Sequence, residues 1–87
     1  LWNFEYDKKY IKQFKKLSSL LQSQVRLALI QLAESDNPLK LGEYKASLKA
    51  FAYRLDQSNR ILYNVDFPKN IIELLRVGDH KMVYKGQ

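Results

Sequence analysis

The stretch Phe51-Ala52-Tyr53-Arg54-Leu55-Asp56-Gln57-Ser58-Asn59-Arg60-Ile61-Leu62-Tyr63-Asn64-Val65-Asp66 decides how this 87-residue chain folds. Phe51, Tyr53 and Leu55 recur at every second position, as do Ile61, Tyr63 and Val65, which is the period of two half-buried strands. Between them, Gln57-Ser58-Asn59 reads as a three-residue hairpin loop, with Asn59 suited to left-handed backbone. That loop pairs residue 56 with 60, 55 with 61 and 53 with 63, so both apolar sets face one side. A two-residue loop misaligns them. The same register places Arg54, Asp56 and Arg60 together on the opposite face.

Towards the C-terminus, Phe67-Pro68-Lys69-Asn70 makes the next turn. Ile71, Ile72, Leu74, Leu75 and Val77 are apolar on both parities, as expected for a central strand covered on both sides. Gly78-Asp79 is predicted to turn the chain, and Met82 to Lys85 to form a short last strand.

Towards the N-terminus, Leu39 to Ser47 has no clean period and reads as a basic loop carrying Lys40 and Lys45. Leu1 to Tyr6 alternates, with Trp2, Phe4 and Tyr6 on one side, and is predicted to be a first strand. From Asp7, a suitable N-cap, Tyr10, Ile11, Phe14 and Leu17 recur at helical spacing while Lys8, Lys9, Lys12, Lys15 and Lys16 take the remaining surface. That cationic flank is either solvated or an RNA or ribosome contact. Ser19 and Gln22 have capping-box spacing and open a second helix whose buried face is Leu21, Val25, Ala28, Leu29 and Leu32. Asn37-Pro38 ends it.

The fold class is therefore α+β. An N-terminal strand and a two-helix hairpin pack on one face of a mainly antiparallel four- to five-stranded sheet, in the order β-α-α-β-β-β-β. Residues 1–87 are expected to form one domain, being too few to divide into two that each bury a core.

Fifteen Lys and Arg against nine Asp and Glu give a net charge of +6, which favours a polyanion such as RNA, or an acidic protein, as partner. With no cysteine there is neither a disulfide framework nor a thiolate zinc site, and the cytoplasm is the expected compartment. No apolar run approaches the roughly 18 residues of a membrane span, and the opening residues lack the layout of a signal peptide. Because the first residue is Leu1 rather than methionine, the natural start is expected upstream. No Gly-rich phosphate loop or Ser-His-Asp spacing is present, and neither a cofactor nor a metal is expected.

Several segments, taken in order, resemble the RelE/ParE superfamily of small toxins from type II toxin–antitoxin pairs. They are Trp2-Asn3-Phe4-Glu5-Tyr6, the lysine-rich Tyr10 to Leu17 helix, Asn37-Pro38, Tyr53-Arg54-Leu55, Arg60-Ile61-Leu62-Tyr63, and the ending Val77-Gly78-Asp79-His80-Lys81-Met82-Val83-Tyr84. The resemblance spans nearly the whole chain. It implies two helices on a sheet whose other side carries an active groove, and a cognate antitoxin that wraps the toxin. In the RelE-like branch it implies metal-independent cleavage of messenger RNA in the ribosomal A site, with the ribose 2′-OH attacking the neighbouring phosphate. In the ParE-like branch it implies inhibition of DNA gyrase without cleavage. A third reading is a toxin-fold protein that only binds its antitoxin. The free chain is expected to be a monomer.

The chain also departs from the family pattern. Its hairpin turn, Asp56-Gln57-Ser58-Asn59, lacks the glycine and aromatic residue of many relatives. His80 falls where many have arginine, although YafQ-like toxins use histidine near this place. Ala52 occupies one counterpart of a catalytic lysine, leaving Arg54 and Lys49 nearby.

Attack by a 2′-OH needs a proton acceptor, cations for the phosphorane and an acid for the leaving oxygen. His80, the sole histidine, is the candidate base or acid, or else a phosphate ligand. Arg60 and Arg54 can present donor forks to phosphate, or pair with Asp56 instead. Tyr84 can stack on a base or merely cap the core. Lys45, Lys49, Arg76 and Lys81 are the RNA-binding candidates. The expected partners are thus an antitoxin, mRNA and the ribosome, with no membrane. Finding His80 together with Arg60 favours the nuclease.

Overall fold

A computed structural model describes residues 1–85, with the backbone alone considered at Lys85. The elements are β1 (Asn3–Tyr6), α1 (Lys8–Lys15), α2 (Ser19–Glu34), a 3₁₀ turn (Pro38–Leu41), β2 (Glu43–Lys45), β3 (Ala50–Arg54), β4 (Asn59–Asp66), β5 (Ile71–Asp79) and α3 (His80–Lys85). The strands form one five-stranded sheet in the order β1-β5-β4-β3-β2, antiparallel except where β1 runs parallel to β5. The α+β class and the two-helix arrangement agree with expectation.

Both helices begin as the physics of free N–H groups requires. Asp7 accepts from the Lys9 amide at 2.8 Å to open α1. The cap of α2 is Ser18, one residue earlier than the spacing suggested. Ser18 is extended (φ −61°, ψ 159°) and its hydroxyl accepts from the Leu21 amide, so Ser19 is already helical. Gln22 does not close a capping box. Its side-chain Nε2 donates to the Phe14 carbonyl at 2.9 Å and ties the end of α1 to the start of α2.

The helices cover one face of the sheet. Tyr10 from α1 and Val25, Ala28 and Leu32 from α2 meet Ile61 and Tyr63 of β4 and Ile72, Leu74 and Val77 of β5 in the main core. Fully burying each of the larger aliphatic side chains contributes about 1.5–3 kcal/mol. Trp2 and Phe4 pack against this core, whereas Tyr6, expected on the same side, is half exposed at the sheet edge. Where β1 ends, the side chain of Gln13 takes over as partner, accepting from the Val77 amide at 2.9 Å.

A bulge explains why β5 is apolar on both parities. Leu62 lies opposite Arg76 and Tyr63 opposite Leu74, so Leu75 is the extra residue. Leu74 and Val77 therefore share the helix-covered face, while Leu75 packs with Ala52, Leu62 and Val83 on the other.

Three further expectations are corrected. First, the β3–β4 hairpin pairs Arg54 with Arg60, Tyr53 with Ile61 and Phe51 with Tyr63, a slip of two residues from the predicted register. A two-residue slip keeps every side chain on its face, which is why the alternation could not reveal it. The loop closes on the Leu55 amide, which donates to the Asn59 carbonyl at 2.9 Å.

Second, the supposed loop from Leu39 to Ser47 contains the 3₁₀ turn and edge strand β2. Asn37 caps the turn through the Leu39 amide. Tyr44 pairs with Phe51, their rings 5.1 Å apart. Between the two elements Gly42 passes so close to the Tyr63 ring that a Cβ there would lie 2.9 Å from Cε1 and overlap the hydroxyl.

Third, the C-terminal segment is a helix, not a strand, and Gly78-Asp79 belong to β5. Gly78 has φ +141°, which redirects the chain, and the Asp79 carboxylate accepts from the Lys81 amide at 2.8 Å as the first turn of α3 begins. The element order thus ends in a helix laid on the sheet's second face, fastened there by fully buried Val83.

Candidate functional site

The second face of the sheet carries Arg54 on β3 and Arg60 on β4, with His80 and Tyr84 on α3. Side chains of alternate residues point to this side, so Ala52 and Leu62 floor it while Arg54 and Arg60 face each other at its end. Arg54 is exposed and Arg60 half-buried. Among the described residues, neither guanidinium lies within ion-pair distance of a carboxylate.

Arg60 instead clasps the hairpin turn. Its Nη1 donates to the carbonyls of Asp56 at 2.7 Å and Asn59 at 3.0 Å, and its Nη2 donates to Gln57 at 3.3 Å. The Asp56 carboxylate faces the turn's own amides, accepting from Ser58 N at 2.8 Å and Asn59 N at 2.7 Å as well as from the Asn59 side chain. Those backbone donors hold the Asp56 carboxyl below the usual carboxylate range, with Arg60 a lesser contributor.

His80 reaches the same turn from α3. Its backbone amide donates to the Ser58 carbonyl at 2.7 Å, and its Nδ1 lies 2.9 Å from that oxygen. Asp79 Oδ1 is 4.0 Å from Nδ1. One helical turn on, Tyr84 stands edge-to-face with His80, ring centroids 5.9 Å apart. Lys45 reaches over the Tyr84 ring at 5.6 Å while pairing with Glu43 at 3.2 Å. Arg60 and His80 thus meet the same turn, and Tyr84 and Lys45 continue from His80 through ring contacts.

The other candidates divide. Lys49 is exposed at the turn before β3 with φ +53°, its carbonyl held by the Asn64 side-chain Nδ2 at 2.9 Å. Lys81 is exposed on α3. Arg76 is engaged elsewhere: it is 3.4 Å from Asp7 Oδ1, donates to the Leu75 carbonyl, and keeps only 14% of its side chain exposed. Arg76 therefore braces β5 against the start of α1.

The cleft lined by Tyr6, Tyr10, Ile11, Phe14, Arg26 and Leu29 is on the helical side, away from these groups. No helix among the described residues is long and apolar enough to cross a membrane. Among the same residues, no three of His, Asp and Glu are grouped so as to hold a metal ion. From the sequence Asp56 reads only as an ion-pair partner of the arginines and Ser58 has no role, whereas in the fold both organise the turn. The Asp-x-Ser-Asn turn signature was the available signal.

No protein-family model matches the sequence, and no curated protein matches it. Solved structures do. The chain superposes on a mutant of the E. coli toxin RelE in the free state with a TM-score of 0.79 at 23% identity, covering 97% of this chain and 90% of that one. It superposes on the intact E. coli RelBE toxin–antitoxin complex with a TM-score of 0.78 at 21% identity, over 91% and 96% of the two chains. The archaeal RelE–RelB complex from Pyrococcus horikoshii gives 0.70 at 17% identity, over 90% and 93%. An N-terminal strand, two helices and a mostly antiparallel sheet of five strands make the fold of this chain the fold of the RelE toxins.

Proposed function

We propose that this chain, as one domain, is the toxin of a type II toxin–antitoxin pair and acts as a metal-independent endoribonuclease on mRNA, in the ribosomal A site. The observation that supports this reading is the hairpin turn on which Arg60 and His80 converge, with Arg54 opposite Arg60 and Tyr84 edge-to-face with His80, on a RelE-like sheet. Like charges directly opposite on neighbouring strands are destabilising, and a bound phosphate relieves that cost for Arg54 and Arg60. RelE toxins among the structural neighbours support the RelE-like reading over the ParE-like one.

In this reading, a ribose 2′-oxygen attacks the adjacent phosphorus and gives its proton to His80. The P–O5′ bond breaks, leaving a 2′,3′-cyclic phosphate, and the departing 5′-oxygen takes a proton from water or a neighbouring ammonium. Arg54 and Arg60 stabilise the charge that develops on the phosphorane oxygens. Tyr84, held by His80 and Lys45, offers a ring for base stacking. Lys45, Lys49 and Lys81 supply field for the RNA backbone. The monomeric toxin acts in the cytoplasm, and a cognate antitoxin silences it by covering its exposed apolar side chains, among them Leu20, Leu27 and Ile30 of α2.

Induced expression followed by transcript mapping tests this. Cuts within translated codons that vanish in His80→Ala and Arg60→Ala, with the circular dichroism spectrum intact, are expected. Each substitution should reduce cleavage about 10²- to 10⁴-fold. Intact transcripts accompanied by supercoiling defects would overturn the reading in favour of gyrase.

A further inference from the structure

The Asp56-Gln57-Ser58 turn touches both Arg60 and His80, yet it contributes no charged group to the face on which they act. We propose that Asp56 is a positioning residue: it shapes the turn so that the Ser58 carbonyl fixes His80 as the Nδ1–H tautomer, leaving Nε2 bare as the proton acceptor.

The tautomer follows from hydrogen-bond chemistry. A carbonyl oxygen carries no proton, so at 2.9 Å from Ser58 O the Nδ1 atom must be the donor. A neutral imidazole has one N–H, and placing it on Nδ1 makes Nε2 an acceptor. The nearby Asp79 carboxylate, 4.0 Å from Nδ1, also favours hydrogen on that nitrogen. The His80 amide donates to the same Ser58 oxygen at 2.7 Å, so both lone pairs of that carbonyl are directed at the first residue of α3.

Asp56 sets where that carbonyl points. Its carboxylate accepts from the amides of Ser58 and Asn59 and from the Asn59 side chain, which pins the peptide planes on either side of Ser58. On the same turn the carbonyls of Asp56 and Gln57 receive the Arg60 guanidinium. One acidic side chain therefore aligns a cation and a base without touching either. The catalytic meaning of a bare Nε2 rests on the ribonuclease reading, whereas the tautomer itself does not.

Long-range ¹H–¹⁵N correlation spectra of the whole protein, taken at a pH where the ring is neutral, test the assignment. A pyrrole-type signal at Nδ1 and a pyridine-type signal at Nε2 are expected. The reverse pattern in the wild-type protein would overturn the proposal without recourse to any variant. Asp56→Ala should move both signals towards a tautomer mixture, and Asp56→Asn, which keeps an acceptor oxygen, should restore the wild-type pattern. Unchanged signals in Asp56→Ala would remove Asp56 from the role. In a cleavage assay Asp56→Ala should lower kcat about tenfold to 100-fold. A protein that has the Nδ1–H tautomer but leaves mRNA intact supports the positioning and sinks the ribonuclease reading alone.

Discussion

Arg54 and Arg60 stand directly opposite each other on β3 and β4, and among the described residues no carboxylate is in ion-pair reach of either. Such a pair weakens the sheet. Arg54→Gln is therefore expected to raise stability by about 0.2–1 kcal/mol in urea unfolding at low salt. The same substitution should reduce mRNA cleavage, and added salt should erase the stability gain by screening the repulsion. A loss of stability would show that Arg54 is held by contacts other than its charge.

Gly42 marks where the backbone crosses the Tyr63 ring. Gly42→Ala should destabilise the protein by about 1–3 kcal/mol, because the new methyl meets a ring locked by a 2.6 Å hydrogen bond to the Pro38 carbonyl. Tyr63→Phe removes that donor and its hydrogen bond to Pro38, costing roughly 0.5–1.5 kcal/mol. The double variant should lose less than the sum, since without the hydroxyl the methyl has more room. A denaturation cycle over the four proteins decides it.

Val83 is the buried anchor of α3 on the sheet's second face. Val83→Ala is expected to loosen α3 locally, which amide exchange over residues 80–84 should detect as faster than exchange in β4. Since Tyr84 and His80 ride on that helix, activity should fall further than global stability does.

The Asp56 carboxyl titrates below its ordinary value of 3.8, chiefly because Ser58 and Asn59 amides favour the charged form. A depressed folded-state value means stabilisation that is complete above the unfolded value and is lost as pH falls through the folded one. Asp56→Ala should accordingly be less stable than wild type at pH 7, with the gap closing as the solution is acidified below about pH 4. Unfolding curves of the two proteins across that range give the comparison. A gap independent of pH would show that the turn does not depend on the charged carboxylate.

Alternation in Phe51, Tyr53, Ile61 and Tyr63 and helical spacing in Tyr10, Phe14, Val25 and Leu32 were enough to identify β3, β4, α1 and α2 and the buried side of each. Those properties are local, since a side chain's face follows from backbone period alone. The candidate residues were likewise visible as residue types: a single histidine, two hairpin arginines and a terminal tyrosine.

What the chain's order could not express was decided by contacts between distant residues. A two-residue slip in the hairpin preserves every face, so its register emerged only once the Leu55–Asn59 closure and the Asp56 turn were in place. The bulge at Leu75 redistributes an apolar run between two cores, and neither core exists until helices cover one face and α3 the other. Met82 to Lys85 is too short for its own pattern to choose between strand and helix. The buried seat for Val83 beside Ala52 and Leu62 made that choice, and with it brought His80 against Ser58.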